Sequence, residues 1–352
     1  MAAPGTRRLP FTVIGGYLGA GKTTLLNALV ADPGGRRLAI LVNDFGSLAI
    51  DAALVRRHDG ETIELASGCL CCSLAGGFGD AIARVLDRAA DVDHVVIEAS
   101  GVAEPDRVVG WGLTHGLARD AVVVVADAER VRDLADDRFV GDVVRRQLAA
   151  ADLLVLNKLD LVAPAALAGL RTWIERTAPG VRVIETVRSA VPAGVVLGPV
   201  GAVGTTVAAE EHPRRGGRTA DPSRESAAAE ARTAGDARSA EPPSAFDHAR
   251  LFETWTVVRA DPVPRSALER FAAGLGDGVH RAKGFVRIAE APSERLVYQQ
   301  VGRRWTVEPV AEGEPRGGGP AAELPAVAIV VVGQTGATSH AALDALLEFP
   351  GA

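Results

Sequence analysis

The chain has 352 residues, 47% of them hydrophobic, which is enough to build a core in each of two domains. A formal net charge of −6 argues against a nucleic-acid surface, which needs a strong local excess of Arg and Lys. The longest apolar runs, such as Ala121–Ala126, are of strand length and far short of a membrane span. The first ten residues hold no apolar stretch of signal-peptide length, so the expectation is a cytoplasmic protein with reduced thiols.

In chain order, β-branched apolar runs predict strands at 11–14, 38–42, 94–97, 121–125 and 152–156, and helical patterns lie at 23–30, 80–90, 140–150 and 164–177. The alternation implies βαβ units and a mostly parallel sheet covered on both faces. From Ala208 to Ala245 there is no Val, Ile, Leu, Met, Phe, Trp, Tyr or Cys, which predicts a flexible, disordered linker over 206–247. Strands at 251–258, 284–289, 296–300, 305–310 and 326–332, with helices at 264–274 and 339–349, then predict a smaller α+β domain. The expected division is therefore 1–205, 206–247 and 248–352.

The first strand runs into Gly16-Tyr17-Leu18-Gly19-Ala20-Gly21-Lys22-Thr23, a complete phosphate-binding loop that opens a helix. Gly16, Gly19 and Gly21 let successive N–H groups turn inward on the phosphates, with the helix dipole adding to the attraction. Lys22 is expected to reach the β and γ phosphates and Thr23 to ligate Mg²⁺, with Thr24 beside it in the first helical turn. The chain contains 35 Arg but only three Lys, and two of those three, Lys22 and Lys158, fall in nucleotide motifs. A compact ammonium is what these positions need.

All three cysteines, Cys69, Cys71 and Cys72, lie within four positions. Such a cluster is either a soft metal claw or a redox group, and no distant cysteine remains for a disulfide framework. His58 and His94 are isolated candidates for a fourth ligand, although a lone histidine is more often structural. Next comes Val95-Val-Ile-Glu98-Ala-Ser-Gly101, a strand ending in an acid: Glu98 is expected to hold Mg²⁺ through a water and Gly101 to sense the γ-phosphate. No Gln precedes Gln147, which excludes a water-positioning Gln from this segment and predicts slow or partner-stimulated hydrolysis. Finally Asn157-Lys158-Leu159-Asp160 follows a strand. The Asp160 carboxylate can accept from guanine N1–H and its amine together, Asn157 can hold the loop and base, and the Lys158 stem can lie on the purine.

These segments, with Val42-Asn-Asp-Phe-Gly46, Gly68-Cys-Leu-Cys-Cys72 and Glu98-Ala-Ser-Gly-Val-Ala-Glu-Pro105, resemble the CobW family of GTP-binding metallochaperones, relatives of the urease and hydrogenase maturation GTPases. In the second domain, Phe252-Glu-Thr-Trp-Thr256 and Arg281-Ala-Lys-Gly-Phe285 resemble that family's C-terminal module. The resemblance implies an α/β P-loop GTPase domain followed by a smaller α+β domain. It also implies a GTPase that binds Zn²⁺, or Co²⁺ second, at Cys69, Cys71 and Cys72, and passes it to a client metalloprotein. Three thiolates leave a fourth tetrahedral position for Asp44, a water or a client ligand. The alternative is a GTP-switched activator of one metalloenzyme, such as a nitrile hydratase or cobalamin-pathway partner, whose cysteines dock and carry no metal. A homo-oligomer is left open. The chain departs from the family at Ser47, where relatives commonly carry a second acid, and it lacks their histidine-rich tracts. Arg281 and Lys283 read as a solvated strand face.

Overall fold

The computed structural model describes residues 8–42, 55–58, 62–65, 70–73, 77–199, 251–310 and 325–348. The segment expected to be a linker, residues 206–247, lies outside the described residues, as do Asp44 and Cys69.

Among the described residues the strands form two sheets. The first is built from β1 (Pro10–Gly15), β2 (Leu38–Val42), β3 (Val55–His58), β4 (Thr62–Leu65), β5 (Leu70–Ser73), β6 (His94–Glu98), β7 (Ala118–Asp127), β8 (Leu153–Asn157) and β9 (Arg182–Glu185). Parallel pairings join β5-β2-β6-β1-β7-β8-β9, and β3 and β4 extend the β5 edge in antiparallel fashion. Period-two alternation explains the burial of both faces. In β7, Val122 and Val124 pack on one side with Val108, Val144 and Leu148, while Ala121, Val123 and Val125 pack on the other with Leu25, Leu29 and Val195.

The crossover helices are α1 (Lys22–Ala31), α2 (Phe78–Asp87), α3 (Pro105–Thr114), α4 (Val131–Asp136), α5 (Gly141–Ala149), α6 (Pro164–Thr177) and α7 (Ala193–Leu197). Pro105 and Pro164 open α3 and α6 where a missing N–H costs nothing. The residue pattern predicts β1, α1, β2, α2, β6, β7, α5, β8 and α6 in order, but not α3, α4, α7, β9 or the β3–β5 extension. No described helix is long and apolar enough to cross a membrane.

The second sheet is antiparallel, in the order β10 (Phe252–Arg259), β14 (Val327–Gln334), β11 (Val279–Ile288), β12 (Ala291–Val301) and β13 (Arg304–Pro309). Helices α8 (Arg265–Gly274) and α9 (His340–Leu347) close its core through Leu268, Phe271, Leu343 and Leu347. Ser339 caps α9 by accepting from the Ala342 N–H at 3.2 Å.

The second sheet docks onto the first at the N-terminal ends of the parallel strands. Arg281, only 2% exposed, pairs with Asp120 at 2.7 Å and donates to the Val195 carbonyl at 2.8 Å and to that of Val196. Thr12 donates to Asp120 at 3.0 Å and meets His94 Nε2 at 2.9 Å. Around this centre, Arg304 pairs with Asp152 at 3.0 Å and Arg182 with Asp277 at 2.9 Å. One expectation is corrected here. Arg281 is not on a solvated face but is the buried anchor between the two sheets. His94 takes the structural role that a lone histidine more often has, its Nε2 engaged by Thr12 in this network.

Burial opposes ionisation of Asp120, yet the adjacent Arg281 overcomes it and holds the carboxyl at about 2. Burial, helped by Arg36, Arg281 and Lys283 and opposed by Asp120, presses His94 down to about 3. Burial and then the neighbouring Arg182 and Arg281 press His280 down to about 4. Below pH 6.5 the unfolded chain therefore protonates both histidines while the folded chain does not, so stability falls with falling pH. The Asp120 contribution persists until pH drops from the ordinary carboxylate range toward 2. Two measurements check this account. In urea denaturation, moving from pH 7 to pH 5 should cost on the order of 2 kcal/mol per buried histidine, and His280→Phe should lose that share of the pH dependence. At pH 7, Arg281→Met should cost about 3–5 kcal/mol, with much of it recovered in the double variant with Asp120→Asn.

Candidate nucleotide and metal site

The phosphate loop leaves β1 at the C-terminal edge of the sheet and enters α1 at Lys22. Gly16, Gly19 and Gly21 all have positive φ, at 128°, 76° and 113°. The requirement is sharpest at Gly21: its backbone is left-handed, and a Cβ there would run into the Asn157 amide and lie 2.7 Å from Ser189 Oγ. Lys22 is buried, and its ammonium donates to the carbonyls of Gly16 at 2.8 Å and Tyr17 at 3.3 Å, so it lies folded over the loop. Thr24 faces solvent in the first turn of α1.

Thr23 Oγ1 donates to Glu98 Oε1 at 3.1 Å, bringing together the two residues expected to serve Mg²⁺. Glu98 Oε2 is buried and has no partner. Burial pushes the Glu98 carboxyl above the usual range, opposed by the Thr23 hydrogen bond and by Lys22; burial likewise lowers the Lys22 ammonium, opposed by Glu98. A carboxylate with one orphaned buried oxygen, a hydroxyl and a glycine-rich anion cradle fit a magnesium–nucleotide ligand, which would supply the missing charge. Gly101 lies against the loop: a Cβ on it would sit 2.6 Å from Leu18 Cδ2 and 3.0 Å from the Leu18 nitrogen.

At the end of β8, Asn157 is a junction. Its amide donates to Ala20 O at 2.9 Å, its Oδ1 accepts from Ser189 N–H at 2.7 Å, and its own carbonyl accepts from Ala128 N–H at 2.8 Å. Ser189 Oγ in turn donates to Gly21 O at 3.1 Å. Lys158, at φ 63°, pairs with Asp127 at the end of β7 at 2.7 Å. Asp160 is exposed on the following single turn, Leu159–Leu161, open to a base. A cleft of about 310 Å³ begins beside this turn, lined by Leu159, Thr186 and Val187, by Phe252 and Gln334 of the second sheet, and by Thr335 just beyond it.

Of the cysteines, Cys71 and Cys72 lie on β5, a placement the sequence reading missed. Cys71 is in register with Ile40 of β2 and Ile63 of β4, and Cys72 with Leu41 and Thr62. The next residue, Ser73, shares a register row with Val42 and Glu98. Two inter-strand spacings, roughly 10 Å, thus separate the end of the cysteine strand from the Glu98 backbone. Among the described residues, no three His, Cys, Asp or Glu side chains gather at one point to hold a metal ion.

The sequence reading also missed Ser189, Asp127 and Gln147. Arg188 and Ser189 adopt φ 54° and 52°, a conformation that their residue types do not advertise. Asp127 sits at the end of an apolar strand, and that acid-at-strand-end pattern, which singled out Glu98, could have found it.

The profile of the CobW/HypB/UreG nucleotide-binding domain matches residues 10–185, and that of the cobalamin synthesis protein CobW C-terminal domain matches residues 252–349. The zinc chaperone CobW of Pseudomonas aeruginosa is 34% identical over 224 residues, covering 54% of this chain and 60% of that protein. The zinc-regulated GTPase metalloprotein activator 1 of Schizosaccharomyces pombe is 30% identical over 189 residues, 51% of this chain and 46% of that protein. The chain thus spans less than two thirds of the length of these curated relatives. Against the crystal structure of the Zn(II)-bound YjiA GTPase from E. coli the TM-score is 0.46 at 22% identity, covering 98% of this chain and 100% of the other. With the phosphate loop, the Glu98–Gly101 segment and Asn157–Asp160 gathered at one sheet edge beside the cysteine strand, the chain belongs to the CobW/HypB/UreG family.

Proposed function

We propose that the chain is a GTP-hydrolysing metallochaperone, organised as 1–205, 206–247 and 248–352, that takes Zn²⁺, or Co²⁺ second, as cargo for a client metalloprotein. The observation that carries this reading is the register row Ser73–Val42–Glu98, which ties the strand bearing Cys71 and Cys72 to the strand bearing the nucleotide acid through the single strand β2. β2 itself leads in sequence into Asn43–Asp44, so a nucleotide contact made there would reach the cysteine strand through β2. Relatives named as zinc chaperones and zinc-regulated activators support zinc as the first metal. Thiolate donors favour it over hard cations.

In this reading Lys22 exchanges the Gly16 and Tyr17 carbonyls for phosphate oxygens, so that its ammonium meets charged acceptors where it now meets neutral ones. Bound Mg²⁺ would neutralise phosphate charge, with Thr23 and Glu98 as the residues that hold it. Gly101 reports the third phosphate through its backbone, and Asp160 selects guanine, because any base without paired donors leaves its carboxylate unsatisfied. Cys69, Cys71 and Cys72 hold the cargo with one position open, filled by Asp44, water or the client, so that a client ligand can enter before the metal leaves.

Two experiments test these parts separately. Asp160→Asn should weaken GTP binding about 10–100-fold, the worth of hydrogen bonds to a charged group, and improve binding of xanthosine triphosphate, whose base carries a carbonyl where guanine has its amine. Equal loss of both nucleotides would remove Asp160 from the base site. Zn²⁺ titration of the metal-free protein, with and without GTP and Mg²⁺, should show an affinity that changes with nucleotide. Cys71→Ser should reduce it by at least the roughly 10–100-fold that losing even an outer-shell partner costs. Zinc binding indifferent to Cys71→Ser would leave the cysteines as a docking element and favour an activator that carries no metal.

A further inference from the structure

The loop from β6 to α3 is fastened from two directions. Within it, the Ser100 carbonyl accepts from the Ala103 N–H at 2.9 Å. From outside, one side-chain amide holds two more carbonyls: Gln147 Nε2 donates to Gly101 O at 3.1 Å and to Ala103 O at 2.9 Å. Both N–H groups of that amide are therefore committed to this one loop. Gln147 lies on α5 and is 1% exposed, in surroundings shared with Val124, Leu134, Val144 and Leu148. Its neighbour Arg146 adds a pair to Glu104 at 3.1 Å, but that pair is solvent-exposed and contributes little. The buried amide is the anchor.

The opposite side of the loop meets the phosphate loop, at the close approach of Gly101 to Leu18. A peptide unit is planar, so holding the Ser100 carbonyl fixes the Gly101 N–H, and holding the Gly101 carbonyl fixes the Val102 N–H. An apolar residue at position 147 would leave two loop carbonyls without their donor, freeing the Val102 N–H directly and loosening the turn that carries the Gly101 N–H. α5 is also the helix that leads into β8, the strand that ends in Asn157.

We infer that Gln147 is a positioning residue of the nucleotide switch: by fastening the Gly101 and Ala103 carbonyls it holds in place the turn whose Gly101 N–H reads a third phosphate, and thereby sets the preference for GTP over GDP. This rests on the reading of the site as a guanine-nucleotide switch. It assigns Gln147 no contact with the attacking water; the residue acts through the backbone of the loop.

The test uses the full chain and compares wild type with Gln147→Met, which preserves length and suits the apolar surroundings but cannot donate. Calorimetric binding of GDP and of the non-hydrolysable analogue GMPPNP in Mg²⁺ is measured beside single-turnover GTP hydrolysis. The expected result is a roughly tenfold loss in GMPPNP affinity and in hydrolysis rate, GDP affinity within about twofold of wild type, and faster hydrogen exchange at the Ala103 amide. A merely structural Gln147 would weaken GDP and GMPPNP alike, and that outcome, or an unchanged GMPPNP affinity, overturns the inference. Should Gln147→Met fail to fold, Gln147→Asn keeps the amide but draws its donors back by one methylene from the two carbonyls, and is judged by the same GDP-to-GMPPNP ratio. A wild-type chain that binds neither nucleotide sinks the guanine-switch reading and this inference with it; a wild type that binds both, beside an unaffected variant, sinks the Gln147 assignment alone.

Discussion

Asn157 is the side chain on which the nucleotide end of this molecule depends. It reaches the phosphate loop through Ala20 O and the loop after β9 through the Ser189 N–H, while its backbone holds Ala128 at the end of β7. Each bond is buried and made between segments far apart in sequence, so losing any one leaves a desolvated group behind. The left-handed Gly21 exists because of this junction: the loop passes so close to the Asn157 amide that no side chain fits. Phosphate cradle and base loop are thereby held in one relative geometry before any ligand arrives.

The second constraint lies at the other end of the same strands. Gly15, Glu98, Asp127 and Asn157 end β1, β6, β7 and β8 on the nucleotide side, whereas Thr12, His94, Asp120 and Arg182 lie near the starts of their strands, where the second sheet docks. Docking is therefore kept out of the nucleotide's way, and the strands between are rigid and apolar on both faces. The Asp120–Arg281 pair gains specificity more than net stability, since two buried charges must be desolvated to form it. Among the described residues, the second sheet meets the nucleotide side at the cleft shared by Leu159, Thr186, Phe252 and Gln334.

Much of this was legible in the residues. Lys22, Thr23 and Glu98 were assigned together from motif spacing, and the fold brings Thr23 and Glu98 within hydrogen-bonding distance. Gly101 was chosen for its position three residues after an acid, and the fold sets it against Leu18. Arg281 was misread because a charged residue on an alternating strand reads as exposed; only the docking of another sheet, with Asp120 across the gap, makes burying it favourable. The partner that gives His94 its structural role, Thr12, is 82 residues away and outside any local pattern. Gln147 was noticed only for its absence from the switch segment, because its role depends on α5 folding back over a loop more than forty residues earlier.

What the sequence determined by itself is whatever rests on local backbone chemistry: glycine conformation in the phosphate loop, the alternation of strand and helix, the clustering of thiols, and the acids and amides at strand ends. These follow from residue type and short-range spacing. What only the tertiary structure decided is which distant groups meet: that the cysteine strand pairs with β2 in register with Glu98, that Asp120 faces Arg281, and that Gln147 grips the Gly101 loop. The physical reason is that a buried polar group must find its partner wherever the chain places one, and that place is set by packing of the whole sheet.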